Sequence, residues 1–151
     1  MFNTLLWATD GSLEADAALT HATSLLAPGG RIVAFHCDQR FHGGRATGAP
    51  LLADEDDRRA KIQTQVAQLR TDGIDVELIV DVTHHSAADD IARIAEEQDV
   101  DAIVCGSRGL GAITGALLGS VTRRLLHVAT VPVVVVPEGV LRKQREPVAT
   151  A

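Results

Sequence analysis

Along this chain the hydrophobic period switches repeatedly between two values, and that alternation restricts the fold more than any other feature. Short runs of strand character occupy residues 2–8, 31–37, 76–82, 102–106 and 131–136. Between them lie four stretches whose apolar residues recur every three or four positions, the spacing of one helix face. They carry Ala15, Ala18, Ala22 and Leu25; Ile62, Val66 and Leu69; Ile91, Ile94 and Ala95; and Leu118, Val121, Leu125 and Val128. Ser12 stands where a cap of the first helix belongs, Asp72-Gly73 closes the second, and Pro28-Gly29-Gly30 punctuates the first helix-to-strand connection. Strands that alternate with helices are joined by crossovers, which make neighbouring strands parallel and place helices on the sheet faces. Ile103-Val104-Cys105 and Val133 to Val136 are apolar without interruption, as strands covered on both faces should be. The expected fold is α/β: an open, mostly parallel five-stranded sheet with helices on both faces, Rossmann-like, formed once by residues 1–137.

Two segments break the pattern. Residues 39–53 are polar and hold Gly43, Gly44, Gly48 and Pro50, so they read as a loop after the second strand. The tail 138–151 is charged or small and reads as poorly ordered.

Composition removes several function classes. Aromatic residues make up 3% of the 151-residue chain, too few for the stacking platforms of a single-strand binder. The net charge of −6 argues against nucleic acid as a partner, because phosphate backbones reward basic surfaces. Cys37 and Cys105 are too few and too far apart for a disulfide framework or a thiolate metal site, and read as reduced, packed thiols. No run of eighteen apolar residues suggests a membrane span, and the first residues lack a basic leader, so the expected location is the cytoplasm.

Open parallel sheets bind ligands beyond the carboxyl ends of their strands. Three segments should therefore converge there: Ala8-Thr9-Asp10-Gly11-Ser12, Cys37-Asp38, and Gly106-Ser107-Arg108-Gly109. After nine intervening residues Gly109 is followed by Gly119-Ser120-Val121-Thr122, which opens the last helix. Glycines after a strand let backbone N–H groups approach a phosphate, and a helix N-terminus adds unpaired N–H groups with partial positive charge. The stretch is not a P-loop, lacking G-x-x-x-x-G-K-S/T, and it lacks the third glycine of a dinucleotide fingerprint. A G-x-S-x-G nucleophile elbow is absent too.

The pattern G-2x-G-9x-G-S/T, met by Gly106, Gly109, Gly119 and Ser120, resembles the nucleotide motif of the universal stress protein family, in its ATP-binding branch. Thr9-Asp10-Gly11-Ser12, Phe35-His36-Cys37, the block from Asp101 to Gly109, and Val131-Pro132-Val133 to Pro137 are similar to its other blocks. Chance alone would supply such a glycine pattern about 0.01 times in a chain of this composition. The resemblance implies strand order 3-2-1-4-5 and an ATP lying across the strand ends. It implies Asp10 near the ribose or a phosphate-bound Mg or Mn ion, Cys37 against the adenine through its backbone, and the glycines with Ser120 around ribose and phosphates. Before the third helix the chain departs from the family, reading His85-Ser86-Ala87 in place of Gly-x-Pro/Ala.

Simpler accounts stand beside these. Asp10 and Ser12 are also ordinary turn and cap residues, and a loop arginine such as Arg108 is commonly solvated. Arg123 and Arg124 read as solvent-facing. His36 and His42 have no neighbouring metal-ligand cluster in sequence beyond Asp38, and His84-His85 point apart on an extended segment, so a structural or solvent role is expected for them. The run Asp54-Glu55-Asp56-Asp57 suits the positive end of a helix and asks for no other account.

The functional expectation is an adenine nucleotide-binding stress-response module whose ligand is structural or signalling. The alternatives are a slow ATPase or nucleotidyl-transferring enzyme, for which no base and no phosphate-loop lysine is evident, and a dimeric scaffold with an empty site. A homodimer through the uncharged strand from Val131 to Val136 is expected, because a bare apolar edge invites pairing with a second copy.

Overall fold

The computed structural model describes residues 1–38, 51–82, 86–109 and 118–137, the side chains of 51–54 excepted. His42, His84, His85, the rest of the stretch 39–50 and the tail 138–151 lie outside these residues. Five strands, β1 (Phe2–Thr9), β2 (Leu26–Asp38), β3 (Asp75–Val82), β4 (Ala102–Gly106) and β5 (Val133–Val136), alternate with four helices. These are α1 (Leu13–Leu25), α2 (Leu51–Thr71), α3 (Ala87–Glu97) and α4 (Ser120–Val128). Every strand pair is parallel, and the order is β3-β2-β1-β4-β5, as the family resemblance implied.

Alternation along each strand divides the core in two. Leu5, Trp7, Ile32, Ala34, Ala102 and Val104 face one side, where they meet Ala17, Ala18 and Ala22 of α1 and Ile62, Val66 and Leu69 of α2. Leu6, Ala8, Val33, Phe35, Ile103 and Cys105 face the other, against Ile91, Ile94 and Ala95 of α3 and Leu125 of α4. The small residues of α1 let it lie close over β1 and β4. Trp7, fully buried, spends its indole N–H on the Ala15 carbonyl at 2.9 Å, which spares the core an unpaired donor.

Four boundaries differ from the sequence reading. β2 begins at Leu26 and runs through Pro28-Gly29-Gly30, with a register slip against β1 between Phe2↔Leu26 and Thr4↔Arg31. The slip absorbs the glycines: Gly29 has φ +75°, and a Cβ at Gly30 would lie 2.8 Å from the Asn3 carbonyl oxygen. β5 is two residues shorter than expected, because Pro132 offers only its carbonyl to the ladder, accepting from Ile103 N–H at 2.9 Å. α2 starts at Leu51, inside the stretch read as loop up to residue 53. α4 begins after Leu118, and its buried residues are Thr122 and Leu125, whereas Val121 is exposed.

Candidate functional site

The end of β1 is shaped by a chain of local hydrogen bonds. Thr9 Oγ1 accepts from Gly11 N–H at 3.1 Å, Asp10 Oδ1 from Ser12 N–H at 3.0 Å, and Ser12 Oγ caps α1 by accepting from Ala15 N–H at 3.2 Å. Gly11 takes φ +79°, which permits the turn. The turn and cap chemistry of Asp10 and Ser12 is thus realised. Lys61 of α2 secures this turn from outside, donating to the Gly11 carbonyl at 2.8 Å and pairing with Asp16 at 2.7 Å.

The end of β4 is tied equally firmly. Ser107 N–H donates to the Val136 carbonyl and Gly119 N–H to the Ser107 carbonyl, each at 2.8 Å, while Thr122 Oγ1 donates to the Gly106 carbonyl at 3.0 Å. Position 106 must be glycine for packing, since a Cβ there would lie 2.8 Å from Glu14 Cβ on α1. At position 109 the neighbour is a side-chain end: a Cβ there would collide with Asp10 Oδ2, and the carboxylate would have to move. Gly119 has φ −66° and ψ 160° and is the N-cap of α4. Having no side chain, it leaves the first-turn N–H groups of α4 without a side-chain cap.

Between these ends lies a cavity of about 280 Å³. Ala8, Thr9, Asp10, Cys37, Gly106, Arg108, Gly109, Gly119, Ser120, Val121 and Thr122 all line it. Gly11, Ser12, Asp38 and Ser107, also in the three converging segments, do not line it; Ser107 is buried and works as a strut between β5 and Gly119. The Gly119 N–H is likewise spent inside the loop, so the donors that α4 itself offers a ligand come from Ser120 onward. Ala87, Ile91 and Leu125 supply an apolar wall from the α3–α4 side.

Neither Cys105 nor Cys37 is in a disulfide. Burial pushes the Cys105 thiol up to about 11, opposed by its hydrogen bond with Thr122. Cys37 is half-buried, its sulfur 3.9 Å from Asp90 Oδ2.

Three lining or supporting residues were not legible as a site. His36 is 2% exposed and stands at the cavity, its Nδ1 2.9 Å from the Thr9 carbonyl and its Nε2 bonded to Glu55. Glu55 is itself buried, which corrects the reading of the acidic run as a plain helix start. Arg58, one turn further along α2, pairs with Glu55 at 3.7 Å and lines the cavity. His36 and Glu55 are nineteen residues apart, and only the packing of α2 on β2 joins them. Among the described residues, no three His, Cys, Asp or Glu side chains are grouped to hold a metal ion, and no helix is long and apolar enough to cross a membrane.

The family model described as the universal stress protein family matches residues 1–137. The chain belongs to that family. No curated protein matches it. Among solved structures, this universal stress protein is similar to the hypothetical protein MJ0577, at 25% identity and TM-score 0.70 over 91% of this chain and 97% of that one. It shares its fold with a universal stress protein in complex with cAMP (22% identity, TM-score 0.65, 90% and 97% covered). It shares it also with one from Archaeoglobus fulgidus in complex with dAMP (22% identity, TM-score 0.56, 90% and 98% covered).

Proposed function

We propose that this chain binds an adenine nucleotide, ATP, in the cavity at the carboxyl ends of β1, β2 and β4. The observation that carries the reading is the uncapped N-terminus of α4, opening onto the same cavity as Gly109 and Ser120. Such an N-terminus offers backbone donors and a partial positive charge to phosphate without needing a lysine. The apolar wall of Ala87, Ile91 and Leu125 suits a base, and Cys37 on β2 offers backbone to its edge. That two solved proteins of this fold hold cAMP and dAMP supports the adenine class.

A Mg or Mn ion would fit at Asp10. It is the one carboxylate in the described lining, and Mg²⁺ is commonly held by one or two carboxylates together with phosphate oxygens. Such an ion would supply charge neutralisation to the phosphates. The lining contains no lysine, and both ring nitrogens of His36 are already engaged, which favours a ligand that is kept over one that is hydrolysed. The nucleotide then serves as a structural or signalling ligand of a cytoplasmic stress-response module that works as a homodimer.

The test is calorimetric titration of the purified chain with ATP, alongside mass spectrometry of any ligand released on denaturation. One equivalent of an adenine nucleotide bound or released is the expected result. Saturation with neither ATP, AMP nor cAMP would sink the reading.

A further inference from the structure

We infer that Arg58 on α2 is a phosphate-contacting residue that makes this site prefer a nucleoside triphosphate to a monophosphate. The inference rests on the nucleotide reading above and adds to it a residue outside the glycine loop.

Both nitrogens of the buried His36 ring face acceptors, the Thr9 carbonyl oxygen at 2.9 Å and Glu55 Oε1. A neutral imidazole carries one N–H and would leave one of these contacts between two lone pairs. The His36–Glu55 pair must therefore hold two protons on its ring nitrogens, or one on the ring and one on the carboxyl group. In both arrangements the pair sums to zero charge. Glu55 is consequently spent on His36, and the guanidinium 3.7 Å from its other oxygen keeps a positive charge that nothing in this trio cancels.

Placement follows from packing. The Arg58 stem lies over the β1–α1 turn, where a Cβ on Gly11 would meet Arg58 Cγ at 3.2 Å, and Arg58 lines the cavity together with Asp10. Lys61, one turn on, holds α2 to the same turn through the Gly11 carbonyl and Asp16. The guanidinium is thus carried by a helix fixed at two points, and it remains 28% exposed. Arg108, in the loop after β4, lines the same cavity. The charged side chains of the described lining are these two arginines and Asp10, with the neutral His36–Glu55 pair behind them. A guanidinium in the lining rewards each added phosphate, and its planar fork suits phosphate oxygens.

The experiment is calorimetry of the full chain and of Arg58→Gln with ATP, AMP and adenosine, at two salt concentrations. The variant should bind ATP about tenfold more weakly than wild type and adenosine equally well, with a shallower salt dependence for ATP. Equal retained adenosine affinity also reports an intact cavity. A matching loss for ATP and adenosine would mean a contact to the base or a collapsed site, and would overturn the inference. Undiminished ATP affinity in the variant would overturn it while leaving the nucleotide reading intact. Failure of wild type to bind ATP at all would instead remove the reading itself, and the inference with it.

Discussion

Asp10 Oδ2 occupies the space that a side chain at Gly109 would need, so the loop after β4 lies directly against the β1 turn. The carboxyl ends of two strands that are neighbours in the sheet but ninety-odd residues apart in sequence thus come into contact. Gly109→Ala must displace the Asp10 carboxylate or push the loop away. ATP affinity should fall at least tenfold, about 1.4 kcal/mol, while the far-UV spectrum stays that of the folded sheet. Calorimetry on Gly109→Ala checks this, and wild-type affinity in that variant would show that Asp10 and the loop do not act together.

Gly119 differs from Gly109, and the contrast is testable. Its φ of −66° is open to any residue, and a Cβ there would lie 3.4 Å from Arg108 Cα, an ordinary contact. Gly119→Val should therefore keep most of the stability but set a branched side chain at the mouth of α4. An ATP affinity reduced at least tenfold, with a melting temperature within a few degrees of wild type, is the expected pair of results. Unchanged affinity would move the phosphate site away from α4.

The His36–Glu55 pair makes a stability prediction independent of any ligand. Both side chains are buried, and removing one partner strands the other. Glu55→Ala should cost about 3 kcal/mol in denaturant unfolding. Glu55→Gln retains an oxygen to accept from Nε2–H and should cost clearly less. Equal losses for the two variants would argue that the hydrogen bond contributes nothing.

The two thiols should separate by reactivity. Burial raises Cys105 from 9.0 to about 11, so its thiolate is scarce at pH 8, whereas half-buried Cys37 faces the cavity. Alkylation at pH 8 should modify Cys37 first, and ATP should slow it. Because burial favours the neutral Cys105 thiol, its contribution to stability is complete below pH 9 and is lost as the pH rises through 11. Peptide mapping after brief alkylation decides the order; Cys105 reacting first would contradict it.

β5 lies at the sheet edge, bonded to β4 on one side, and Val133, Val134 and Val135 are each half-buried. Antiparallel pairing with β5 of a second copy, a two-fold contact, would cover that edge. Wild type should sediment as a dimer at micromolar concentration, and Val134→Lys should shift it to monomer. A wild-type monomer at high concentration would refute the pairing and leave the cavity untouched.

Local chemistry was written plainly in this sequence. The three- and four-residue spacing of Ala15, Ala18 and Ala22 set α1, Ser12 capped it as expected, and apolar runs marked β1 and β4, because each of these depends on neighbours within one or two turns of chain. The glycine spacing from Gly106 to Ser120, with the resemblance it carries, pointed to the cavity for the same reason. What only the tertiary structure decided are relationships between distant segments: which backbone donors of the loop are already spent, that Gly106 answers to Glu14 and Gly109 to Asp10, and that an acidic residue in α2 is buried against His36. Glu55 and Asp56 are adjacent and chemically alike, yet one is buried and the other exposed. Helical spacing sets Glu55 two turns before Ile62 on the inward face of α2 and leaves Asp56 off that face; only the docking of α2 over the ends of β1 and β2 decides that this inward position meets a ring that requires an acceptor.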